Sequence, residues 1–130
     1  MYGKPHFACY YITLEKLISE KHHMANLYTV AARRLDGDKK EVLLRLANEE
    51  YESEAKLTNE YVRLFAAKPV PSVQEADEDI TITELVRLTA DCALHFSHMY
   101  KSAPNKRIAD ILKDSVQKNI NQGYLLLLIL

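Results

Sequence analysis

Carboxylates set at helical spacing among apolar residues are the features of this sequence that could do chemistry. In LANEEYESEAKL, residues 46–57, a helix that hides Leu46, Ala47 and Leu57 places Glu50, and either Ser53 or Glu54, on the same stripe. A carboxylate is seldom fully buried unless a cation or hydrogen-bond donors meet it. Elsewhere Glu20 and Lys21 compete for one inward position, Asp91 and Cys92 for another, and His95 and His98 follow. Asn119-x-x-Gln122 adds two amides three residues apart. Residues at that spacing share a helix face, so these side chains could meet at one level of a bundle. They would there either hold metal ions or satisfy one another.

The elements needed to bring them together are legible in the breakers. A helix over about 12–35 is stopped by Asp36-Gly37-Asp38, and Asp38 can cap a second over about 39–67. KPVPSVQEADED, with Pro69 and Pro71 and no periodicity, reads as a connection of roughly a dozen residues. A third helix over about 81–103 can be capped by Thr81 or Thr83, and Pro104-Asn105 turns the chain into a fourth over about 105–123. Two tight helical hairpins joined by one long link predict an all-α, four-helix bundle with a single crossover between the second and third helices. Residues 1–130 form one domain of this kind. The hairpins echo each other faintly, with Tyr28 and Tyr100 in matching places before the two turns.

Composition narrows the function. With 17 basic and 18 acidic residues, nothing here supplies the positive surface that nucleic acid requires. Cys9 and Cys92 make no disulfide framework, and no signal peptide or lipidation motif opens the sequence, so a reducing, cytoplasmic setting is expected. The apolar end YLLLLIL is too short for a membrane span, which needs about 20 apolar residues; it is expected to pack on the bundle or on a second subunit. There is no glycine-rich phosphate loop, nucleophile elbow or CxxC pair. His22 shares the expected solvent face with Glu15, Asn26 and Arg33, Cys92 reads as a small core residue, and Tyr2, Tyr10 and Tyr11 read as packing residues before redox ones.

From about Tyr11 to Gln122 the chain resembles the ferritin-like superfamily, and within it the rubrerythrin-type domains. ANEEYESEA fits the family pattern A-x-E-E-x-x-H-x-A except that Ser53 stands at the histidine. The resemblance implies a dinuclear iron or manganese centre, for which Glu20, Glu50, Glu54, Asp91 and His95 are the candidate ligands. It implies an iron-handling protein or a dimetal oxidoreductase, and pairing into a homodimer through helix faces. The departures point elsewhere. Counting back from Tyr28 brings Lys21 to a ligand position, and Asn119 and Gln122 occupy the Glu-x-x-His positions of the fourth helix. Amides bind iron poorly and an ammonium repels it. The favoured expectation is therefore a bundle that has lost its metal ligands and acts as a non-catalytic assembly or interaction module. Its interior polar network would comprise Lys21, Glu50, Ser53, Asn119 and Gln122.

Overall fold

The computed structural model describes the backbone of residues 4–130 and side chains from Thr13 onward. Cys9, Tyr2, Tyr10 and Tyr11, singled out above, lie outside the residues whose side chains are described. Among the described residues the chain forms helices and no strands: α1 Lys4–Arg33, α2 Gly37–Phe65, α3 Ile82–Tyr100 and α4 Lys106–Ile129.

Each boundary has a local cause. Pro5 sits in the first turn of α1, where a missing N–H leaves no bond unmade, so the helix begins earlier than the expected residue 12. Asp36, not Asp38, is the N-cap of α2, and Asp38 lies in the first turn, where its charge suits the helix dipole. Thr81 settles the choice of cap for α3: its Oγ1 accepts from Glu84 N at 3.1 Å and donates to Glu84 Oε1 at 3.1 Å. Asn105 caps α4 by accepting from Ile108 N at 2.9 Å. Gly123 does not end α4 as expected. The helix runs on to Ile129 because Leu126 is buried and Leu125 and Ile129 pack against the core.

The four helices enclose two apolar clusters. One gathers the C-terminal half of α1, the start of α2, the start of α3 and the end of α4, through residues such as Tyr28, Leu46, Leu85 and Leu126. The other gathers the opposite ends through Leu17, Leu57, Phe96 and Leu112. It follows that α2 and α3 run parallel. The 66–81 connection starts beside the second cluster at Phe65 and reaches the first at Ile80, passing from one end of the molecule to the other. Arg34 Nη2 fastens its far end by donating to the Ile80 carbonyl. α1 packs on α2 and α3, and α4 on α3 and α2, leaving α1 diagonal to α4.

Candidate functional site

Between the two clusters lies a layer of buried polar side chains. Lys21, Glu50, Ser53, Thr89, Ser115, Asn119 and Gln122 are all at most 2% exposed. The stripe Leu14, Ile18, Lys21, Ala25, Tyr28 is buried throughout, so Lys21 takes the inward position of α1 and Glu20 falls to its edge. On α3 the stripe is Leu85, Thr89, Cys92, Phe96. Cys92 therefore faces inward, and Asp91 is exposed and pairs with Arg87 at 3.4 Å.

The centre of the layer is an ion pair. Lys21 Nζ donates to Glu50 Oε1 at 3.3 Å, to Glu50 Oε2 at 3.2 Å and to Asn119 Oδ1 at 3.0 Å. It also lies 4.4 Å from the centroid of the Phe96 ring, a cation–π contact. Asn119 Nδ2 donates to Glu50 Oε1 at 3.4 Å and to Gln122 Oε1 at 3.0 Å. Gln122 Nε2 donates to Glu50 Oε2 at 3.3 Å and to Glu49 Oε1 at 3.2 Å. The Tyr28 hydroxyl gives its proton to Gln122 Oε1 at 2.9 Å and accepts from Thr89 Oγ1 at 2.5 Å. Burial, and then the Glu50 charge, hold that phenol well above its usual titration range. Both carboxylate oxygens of Glu50 and both ends of each amide are thus engaged. A fully satisfied network of this kind fixes one arrangement of the interior.

The remaining candidates lie outside this layer: Glu20, Asp91 and His95 line one cleft between α1 and α3, and Glu54 lies on the α1/α2 side. Glu20 meets His95, Oε2 to Nδ1 at 2.6 Å, in the α1/α3 groove. Burial raises the Glu20 pKa, opposed first by His95 and then by Lys21. Glu54 stands against His22 in the α1/α2 groove, Oε1 to Nδ1 at 3.0 Å. A helix turns about 100° per residue, so Glu54, four residues after Glu50, is rotated off the inward stripe toward α1. His98 is exposed. Ser53 is buried one turn from Glu50 but makes no hydrogen bond within the layer, and Ser115 Oγ is buried without a partner.

These residues do not fit a dinuclear metal centre. The carboxylate best placed to bridge two cations already faces an ammonium and two amide N–H donors, and no group of three metal-ligating side chains comes together among the described residues. Thr89, Glu49 and Ser115 were missed by sequence reasoning. Thr89 was within reach, since Leu85, Thr89, Cys92 and Phe96 recur at helical spacing; Glu49 was not, because it joins only through the length of Gln122. Comparison with protein-family models, with curated proteins and with solved structures finds no match.

Proposed function

We propose that this chain is a ferritin-like bundle whose interior carboxylate is neutralised by a lysine in place of metal ions, and that it works as a non-catalytic assembly module. The observation that carries this reading is Lys21 Nζ, fully buried and within 3.3 Å of both Glu50 oxygens. The interior then has structure to maintain and no open coordination position to offer, which moves function to the surface.

The surface has one face suited to it. Along the α3/α4 hairpin, Leu94 is 72% exposed, Tyr124 66% and Leu128 81%. Beside them a cavity of about 270 Å³ is formed by small residues, Ala90, Ala93 and Gly123, with Ile120 and Leu127. Ile120, Tyr124 and Leu127, exposed around that cavity, are the apolar surface expected of an association site. A second copy of this chain, presenting the same face, is the occupant we assign.

Iron loading tests the interior. The purified chain, given ferrous iron without oxygen and then air, is expected to develop no oxo-bridge absorption band and no rise in Tm. Stoichiometric binding of two metal ions per chain, with that band, would overturn the proposal in favour of a dimetal protein.

A further inference from the structure

The α3/α4 face carries a pattern that complements itself. Thr83, Ala90 and Ser97 recur every seven residues along α3 and are all exposed, a spacing that returns side chains to nearly one side of a helix. Beside Ala90 lies the cavity of about 270 Å³, walled by Ala93 and Gly123 and bounded by Val86 and Leu127. Within the subunit nothing requires Gly123 to be small: a Cβ there would meet no neighbouring atom within 4 Å. Glycine inside a helix costs stability relative to alanine, so the hollow is kept open for something outside the subunit. One turn from Ala90, Leu94 stands out from α3, 72% exposed. The face thus holds both a hollow and a side chain that fits one.

Charge is graded along the same direction. Glu78, Asp79 and Glu84 are exposed at the N-terminal end of α3, and Lys101, Lys106 and Arg107 at the turn into α4. Arg87 and Asp91 answer each other at 3.4 Å, as do Lys106 and Asp110. The middle of α3 is therefore neutral, and net charge collects at its ends, acidic at the start and basic at the turn. In a two-fold pair, an axis parallel to the helices sets like ends together. An axis across them sets acidic end on basic end in both copies at once.

Resting on the self-association proposed above, we infer that two copies pack their α3/α4 faces antiparallel, α3 on α3, with the two-fold axis passing at Ala90 and Leu94 of each copy seated in the cavity of the other. Positions equidistant from Ala90 in sequence then face each other. Leu94 of one copy comes to the level of Val86 in the other, Thr83 to that of Ser97, and Lys101 to that of Asp79. The small side chain of Ala90 lets the two α3 helices approach closely. Exposed ion pairs are individually weak, so the graded charge selects the orientation and the apolar contact of Leu94 supplies the affinity.

Disulfide cross-linking of the full chain in a Cys9→Ser background, read on non-reducing gels beside equilibrium sedimentation, tests this arrangement. Ala90→Cys alone should yield a covalent dimer, and so should Thr83→Cys combined with Ser97→Cys. Neither Thr83→Cys nor Ser97→Cys alone should do so, because each position would lie about 21 Å from its own counterpart, beyond the roughly 7 Å that a disulfide spans between Cα atoms. Leu94→Ala should weaken the non-covalent dimer about tenfold with helical circular dichroism unchanged. A dimeric wild type in which neither Ala90→Cys nor the Thr83/Ser97 pair cross-links, or in which Thr83→Cys links alone, overturns the antiparallel arrangement and leaves self-association standing. A monomeric wild type overturns both.

Discussion

At the scale of single residues, the decisive contact is an ammonium on a carboxylate, both fully buried. Removing one member of such a pair strands the other and typically costs about 3–5 kcal/mol, whereas replacing both with well-packed apolar side chains can be neutral or better. Glu50→Leu is therefore expected to lower stability by about that amount, and Lys21→Met with Glu50→Leu to recover much of it. Chemical denaturation of wild type, Lys21→Met, Glu50→Leu and the double variant measures this, and a double variant no more stable than Glu50→Leu alone would refute it. His23 gives a prediction in pH. Its folded pKa lies below the ordinary 6.5, so its contribution is fully present above that value and is lost as pH falls through the folded pKa. The stability difference between wild type and His23→Gln should therefore shrink as pH falls below 6.5. A constant difference across that range would show that His23 does not titrate abnormally. Glu20 acts with the opposite sign. Its raised pKa gives stability that is complete below 4.5 and lost as pH rises through the folded value, so the Glu20→Gln background separates the two.

At the scale of elements, the turns were legible in the sequence, whereas the α2 cap fell on Asp36 and not Asp38 and the helix lengths were less legible. Thr81 caps α3 by accepting from Glu84 N, and Thr81→Ala should cost about 1 kcal/mol. Thr83→Ala, just inside the helix, should cost little; equal losses in thermal melts of the two would contradict the cap assignment. The inward position of Lys21 could not be settled from sequence because Leu17, Glu20 and Met24 also recur at helical spacing. The structure buries Leu17 and Met24 as well as Lys21, since a helix packed on two neighbours hides a broad stripe. Glu20 then lies at the edge of that stripe, in the groove beside His95. Gly123 misled for a related reason. Glycine inside a helix costs roughly 1 kcal/mol relative to alanine, and burying Leu126 beyond it is worth more, roughly 1.5–3 kcal/mol.

At the scale of the molecule, the end-to-end connection and the long α4 divide the surface into two dissimilar sides. The connection covers the α1/α3 side, where Ser72 reaches Ser19 and Ile80 enters the core. The α3/α4 side is left bare, and α4 extends it with residues 124–130. That extension has a buried and an exposed side that can be tested separately. Leu126 is fully buried and belongs to the monomer, whereas Leu127, Leu128 and Leu130 are exposed. Leu126→Ala should therefore cost about 2–5 kcal/mol as a core truncation with the solution mass unchanged where the variant is folded. Leu94→Lys with Leu128→Lys removes apolar surface from α3 and α4 without touching the core, and should convert the proposed dimer to monomer. Neither charge need disturb the fold of a single subunit, so helical content should hold. Equilibrium sedimentation of wild type and both variants reads the outcome. A monomeric wild type, or a dimer indifferent to the paired lysines, would remove self-association from the α3/α4 face and leave that face to a different partner.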